Sequence, residues 1–171
     1  DLGRDLRAPP YGITLPERAI NSPGDIIMGT YNTLLLAVDL SDESEGVAAR
    51  ASALREANGA TLPLIHVIEP LSFAYGGDIP MDFSGIQEEI HQQAKLQLQK
   101  FGEQFSIDAS QQHIVLGRPE IEIHSLAEEL GADLIVVGSH GRHGLALLVG
   151  STANGVLHGA SCDVLAVRVG S

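Results

Sequence analysis

The chain has 171 residues, near the usual size of one domain; 44% are hydrophobic but only 4% aromatic, with no Trp, so the core must rest on Ala, Val, Leu and Ile, which suits an α/β domain better than a sandwich. Its 22 acidic residues against 10 basic ones give a formal charge of −12, a surface that repels nucleic acid and anionic membrane because both are held through cation contacts to phosphate. A single cysteine, Cys162, excludes an internal disulfide, and no secretory hydrophobic region or run of about 18 apolar residues is present, which points to a soluble protein, without membrane insertion, in a reducing cytoplasmic compartment.

Residues 1–29 contain Pro9, Pro10, Pro16 and Pro23 with scattered charges and no sustained period. They are expected to form a tail or leader outside the domain, which then occupies residues 30–171. From Thr33 to Asp39 the chain is apolar until its last residue, the pattern of a strand covered on both faces. Ser41 is placed to cap a helix carrying Val47, Ala48, Ala51 and Leu54 on one stripe, and Gly59 stops it. Thr61 to Ile68 repeats the strand pattern, with Pro63 near its start. The segment from Leu71 to Gly85, with Phe73, Tyr75 and Phe83, is too long and irregular for a tight turn and reads either as a lid or binding loop or as a plain surface loop.

A polar helix over 86–105 follows, with Ile90, Ala94, Leu98 and Phe101 as its apolar stripe, and then a third strand over 112–116. Pro119 suits the first turn of the next helix, whose buried stripe is Ile123, Leu126, Ala127 and Leu130 before the stop at Gly131. Ala132 to Gly138 is the fourth strand, a helix runs from Ser151 to about Gly159, and Cys162 to Val169 is the fifth strand. Strand and helix alternate four times before a final strand. That order implies a parallel sheet with right-handed crossovers and helices on both faces, with ligands expected beyond the carboxyl ends of the strands.

Asp39, Ile68 and Gly138 all lie at such ends, and Gly138-Ser139-His140-Gly141 leads, after Arg142 to Val149, to Gly150-Ser151-Thr152. Glycine permits positive φ and close approach to a ligand, and free N–H groups at a turn or helix start favour an anion. The alternative is that these glycines serve only as turn and cap residues. Lone Cys162 reads as a small buried hydrophobe, His66 as a core or crevice residue making a hydrogen bond, and His158 as a helix-end histidine. His140 and His143 lack a third ligand of fitting spacing, so no metal site is expected.

Taken together, Ala37-Val38-Asp39-Leu40-Ser41, His66-Val67-Ile68, Gly117-Arg118-Pro119, Gly138 to Gly144, Gly150-Ser151-Thr152 and Cys162 to Val167 resemble the universal stress protein family over residues 30–170. The resemblance implies a five-stranded parallel sheet in the order 3-2-1-4-5, Rossmann-like, a homodimer, and in one branch the binding of ATP or AMP, with Mg held through the nucleotide and Asp39. Carried over by motif, Gly138, Gly141, Gly150 and Ser151 would hold phosphates and ribose, Asp39 would meet the ribose and Val67 would offer backbone groups to adenine. Ala37, Ser139, His140, Arg142 and Thr152 complete the expected site. This chain has eight residues between Gly141 and Gly150 where the ATP-binding pattern has nine.

The last strand, with Val164, Leu165, Val167 and Val169, resembles the edge through which the family dimerises, and an uncovered apolar edge is itself a template for a second chain. No Walker pattern and no lysine stand in the glycine loop, so no catalytic residue is expected. The expected function is that of an adenine-nucleotide-binding regulatory dimer in the stress response; a dimeric interaction module that binds no nucleotide, and a weak ATP hydrolase, are the alternatives.

Overall fold

The computed structural model describes residues 31–72, 83–139 and 151–169. Strands β1 (Leu34–Ala37), β2 (Leu64–Ile68), β3 (Gln112–Leu116), β4 (Leu134–Gly138) and β5 (Asp163–Val167) alternate with helices α1 (Ser44–Asn58), α2 (Ser84–Gln104), α3 (Pro119–Leu130) and α4 (Ser151–Gly159). The strands form one sheet in the order β3-β2-β1-β4-β5, and every pairing is parallel. That is the expected order. Residues 1–30, including the expected tail, the segment 73–82 and the glycine loop 140–150 lie outside the described residues.

The side-chain alternation of β1 divides the core in two. Leu34, Leu36 and Val38 pack with Val47, Ala48 and Ala51 of α1 and Leu98 and Phe101 of α2. Leu35, one residue out of phase, packs on the other face with Ile123, Leu126 and Ala127 of α3 and Ala153 and Val156 of α4. Leu34, Leu35 and Leu36 are all fully buried, and each contributes roughly 1.5–3 kcal/mol on leaving water. A run without polar interruption is what a strand sandwiched between two helix layers requires.

Local chemistry sets most of the element ends. Pro119 stands in the first turn of α3, where its missing N–H costs no helical bond. Gly131 closes that helix at φ 61° and Gly59 closes α1 at φ 63°, the left-handed positions in which glycine escapes a Cβ clash. Several ends differ from expectation, among them β1, which stops at Ala37 rather than Asp39, and β4, which starts at Leu134 rather than Ala132; three further differences are set by local chemistry or packing. The first helix begins at Ser44, with Glu43 as its capping residue and Ser41 in the preceding turn, because Leu40 takes φ 60° and bends the chain away from helical geometry there. The second strand begins at Leu64, leaving only an isolated bridge between Thr33 and Thr61 ahead of Pro63. The fifth strand ends at Val167, and the Val169 side chain turns inward, buried with the α1 face of the core.

Candidate functional site

The strand order reverses between β1 and β4, so the connections leaving their carboxyl ends diverge and open a crevice. A cleft of about 120 Å³ occupies this place. Ala37, Asp39, Val67, Gly138 and Thr152, all expected on sequence grounds, line it together. They come from β1 and its exit, from β2, from β4 and from the first turn of α4. Ser41, Glu43, Ser44, Pro119 and Val169 also line it. These were not among the expected residues. The sequence motifs touched two of them, Ser41 at the end of Ala37-Val38-Asp39-Leu40-Ser41 and Pro119 at the end of Gly117-Arg118-Pro119, and Val169 was expected only at the dimer edge.

Asp39 is held by its own loop. Its Oδ1 accepts the Ser41 N–H at 3.0 Å, the Ser41 hydroxyl at 2.6 Å and the Ser44 hydroxyl at 2.8 Å. The left-handed Leu40 makes this possible, since it folds residue 41 back over residue 39. A non-glycine residue in that region is uncommon and stores backbone strain where a site needs a fixed geometry. Ser44 is buried and Asp39 itself exposed. The carboxylate is thus oriented by short hydrogen bonds while standing at the edge of the cleft.

His66 reinforces the same strand end. Its Nδ1 lies 2.9 Å from the Val38 carbonyl oxygen, and because a carbonyl only accepts, Nδ1 carries the proton in this contact. This ties β2 to the exit of β1 and matches the crevice hydrogen bond expected of the residue.

Gly138 suits its place for a reason other than backbone freedom. It belongs to β4, and positive φ among the described glycines occurs at Gly59 and Gly131. A Cβ on Gly138 would stand 3.3 Å from Cγ2 of Val47 and 3.8 Å from Cγ2 of Val169. A hydrogen in place of a side chain keeps this wall of the cleft open. Ser139, also expected in the site, donates its N–H to the Val167 carbonyl at 2.8 Å, so that amide continues the ladder to β5. Ser151 is exposed as the first residue of α4, while His140, Gly141, Arg142 and Gly150 lie outside the described residues.

The helix pair behind the cleft is closely keyed. Pro119 and Ile123 of α3 face the cleft together with Thr152 and Ala153 of α4. A Cβ added at Gly155 would meet Cβ of Glu120 at 2.9 Å, and one at Gly159 would meet Nδ1 of His124 at 2.9 Å. His124 Nε2 in turn lies 2.8 Å from the Val156 carbonyl oxygen. Two glycines four residues apart let α4 approach α3, which fixes where the first turn of α4 presents Thr152. Among the described residues no group of three or more His, Cys, Asp or Glu side chains is arranged to hold a metal ion, and no helix is long and apolar enough to cross a membrane.

Comparison with known proteins gives a consistent result. A family model described as the universal stress protein family matches residues 30–168. Universal stress protein A homolog 1 of Coxiella burnetii is 42% identical over 139 residues, covering 80% of this chain and 96% of that protein. Universal stress protein G of Escherichia coli O157:H7 is 31% identical over 141 residues, covering 81% and 99%. Among solved structures, universal stress protein UspA from Lactobacillus plantarum aligns with a TM-score of 0.66 at 22% identity, covering 81% of this chain and 99% of that one. A universal stress protein in complex with cAMP aligns at 0.58 and 24% identity, covering 81% and 98%. At these structural identities the likeness is one of fold.

Proposed function

The chain belongs to the universal stress protein family, and from that premise we propose that it is a homodimeric regulatory protein of the stress response that binds an adenine nucleotide, ATP or AMP, in the cleft beyond β1 and β4. The observation that carries this reading is the convergence of Ala37, Asp39, Val67, Gly138 and Thr152, from separate elements, on one cleft. In the proposed complex the adenine lies against Ala37 and Val67, and Asp39 takes the ribose hydroxyls. The phosphates extend past Gly138 toward the start of α4, where unpaired helical N–H groups and the positive end of the helix dipole favour an anion. Thr152 and Ser151 add hydroxyl donors there, and the glycine motif assigns the remaining phosphate contacts to His140, Gly141, Arg142 and Gly150. A Mg²⁺ ion accompanying the triphosphate would be carried chiefly by the phosphates, with Asp39 as the contribution of the chain.

Support for the dimer comes from β5, an edge strand of the described sheet in which Val164, Leu165 and Val167 are only partly buried. Val169 faces the core of its own chain and takes a smaller part in such an interface than the three strand residues. Light scattering after size exclusion is expected to give twice the chain mass, reduced to one chain by Leu165→Asp.

Thermal unfolding with and without nucleotide tests the binding. A ligand at about one hundred times its Kd stabilises the folded state by about 2.7 kcal/mol, which for a chain of this size raises Tm by roughly 5–10 °C. Gly138→Asp, which places a carboxylate against Val47 and toward the phosphates, is expected to abolish that rise. An unchanged Tm at millimolar ATP and AMP would sink the binding reading in favour of an interaction module. Release of phosphate that disappears in Asp39→Ala would instead mark the protein as a slow hydrolase.

A further inference from the structure

Two walls of the cleft are joined behind it by one directional bond. Pro119 and Ile123 of α3 line one wall, and Thr152 and Ala153 of α4 line the other. His124 follows Ile123 directly and is half-buried. Its Nε2 donates to the Val156 carbonyl at 2.8 Å, in the last turn of a helix that spans only Ser151–Gly159. Its ring also fills the place that a side chain on residue 159 would take, since a Cβ there would stand 2.9 Å from Nδ1. Resting on the nucleotide reading above, we propose that His124 is a positioning residue for the cleft. Through Val156 it fixes the axial seat of α4, and so sets where the first turn of that helix meets the phosphates of the ligand.

A helix of nine residues is too short to hold its shape in water unaided, so its seat comes from its neighbours. Ala153 and Val156 supply apolar contact on the core face that contains Leu35, Ile123 and Ile135. Such burial is strong but non-directional, and it resists separation more than sliding or rotation. The His124 bond has a direction, because a hydrogen bond weakens steeply as its angle departs from the optimum. Gly155 and Gly159 let the two helices close to the distance this bond needs. Val156 stands about 6 Å along the axis from Thr152, at about 1.5 Å per residue. Peptide hydrogen bonds make so short a helix move as a unit, and a shift at Val156 therefore reaches the first turn little diminished. A phosphate feels that shift where adenine and ribose do not, since the free N–H groups and the dipole of a helix start act within the first turn.

Calorimetric titration of the full chain with adenosine, AMP and ATP separates this inference from the reading beneath it, because adenosine lacks the group that α4 would meet. The parent chain is expected to bind the better of AMP and ATP about tenfold or more tightly than adenosine, through the helix start and its hydroxyl donors. In His124→Leu, which keeps bulk and removes the donor, that advantage is expected to fall to about threefold or less while the adenosine Kd stays within about twofold. His124→Gln, whose amide returns an N–H donor, is expected to keep the advantage within about twofold of the parent. Gly159→Ala pushes the same ring aside from α4 and is expected to act as His124→Leu does, which keeps the test open if the leucine variant does not fold. A merely structural role for His124 would lower Tm and leave the advantage unchanged. An advantage unmoved by the leucine and alanine variants, one lost equally with leucine and glutamine, or one absent from the parent chain although adenosine binds, overturns the positioning role while the adenine-binding cleft stands. Binding of none of the three ligands overturns the nucleotide reading, and the positioning role with it.

Discussion

The two ends of the central strands carry the same chemistry and put it to different use. At the amino ends, Asp133 accepts the Asn32 N–H at 2.8 Å through Oδ2 and the Thr33 N–H at 3.1 Å through Oδ1, with the Asn32 side-chain amide adding a contact at 3.3 Å. Beside it the Tyr31 hydroxyl donates to Asp163 at 2.9 Å. These groups tie the entry of β1 to β4 and β5 across 100 to 132 residues of sequence. At the carboxyl ends, Asp39 accepts hydrogen bonds from its own loop, from Ser41 and Ser44, and stands at the edge of a cleft. A carboxylate that bridges distant strands is a latch. One oriented by its immediate neighbours at the strand-order reversal is positioned for something from outside.

The sharpest way to break this division is to remove the two carboxylates separately. Asp133→Ala leaves the Asn32 and Thr33 amides without their acceptor and is expected to cost about 2–3 kcal/mol, a fall in Tm of roughly 5–10 °C, with the nucleotide Kd unchanged within about twofold, since no contact of Asp133 reaches the cleft. Asp39→Ala leaves the Ser41 N–H and the Ser41 and Ser44 hydroxyls without their shared acceptor at the edge of the cleft and is expected to cost about 1–2 kcal/mol of stability, while the rise in Tm on adding nucleotide disappears. Chemical denaturation of both variants with and without AMP measures all four quantities. Equal loss of nucleotide stabilisation in both would show that the ends of the sheet are not separate in function.

Sequence reading served the two ends unequally, for a physical reason. The core strands, the α3 start at Pro119 and the stops at Gly59 and Gly131 follow from apolar runs and backbone geometry that a few neighbouring residues determine. Asp39, Gly138 and Thr152 were legible because each stands at the end of an element, and the alternation of strand and helix brings such ends together. The latch was not legible. Tyr31 and Asp163 are 132 residues apart, and no periodicity marks a pair joined only by the sheet order. Ser41 was misplaced as a helix cap because Ser41, Asp42 and Ser44 all suit that position by composition; the left-handed turn at Leu40, which local propensity does not favour in leucine, is what moves the start of the helix to Ser44. Val169 continued the apolar pattern of β5, yet its side chain packs inside with the α1 face of the core, next to Gly138.

A smaller effect sharpens the contrast by pH. The hydrogen bond to Asp163 holds the Tyr31 phenol above its usual value of 10.0, with lesser contributions from burial and from the charges of Asp163 and Asp133. An acid whose folded pKa is raised keeps its proton in the folded chain at pH values where the unfolded chain has released it, so the unfolded state binds fewer protons and stability falls as pH rises. The contribution is complete below about pH 10 and is lost through the window between the unfolded and folded values. Urea midpoints followed from pH 8 to 11 are expected to decline in the parent chain and to decline less in Tyr31→Phe, which should itself cost about 1 kcal/mol or less at neutral pH. Parallel pH curves would mean that the phenol and Asp163 do not meet in solution.

The smallest effect concerns reactivity at the same end. Cys162 precedes β5, is half-buried, and packs with the α3 and α4 face of the core. Burial first, and then the neighbouring carboxylates Asp163 and Asp133, raise its thiol above the ordinary 9.0, against a lowering hydrogen bond with the Ile135 backbone. Because the thiolate is the nucleophile, alkylation by iodoacetamide at pH 8 is expected to run several-fold more slowly in the folded chain than in urea. Asp163→Asn removes one of the raising charges and should recover part of the rate, whereas Asp39→Asn, at the far end of the sheet, should recover none. An equal gain from both substitutions would point to the net charge of the whole chain as the cause. A gain confined to Asp163→Asn would locate the effect in the latch, whose carboxylates then both join the strands and keep the one thiol of the protein from reacting.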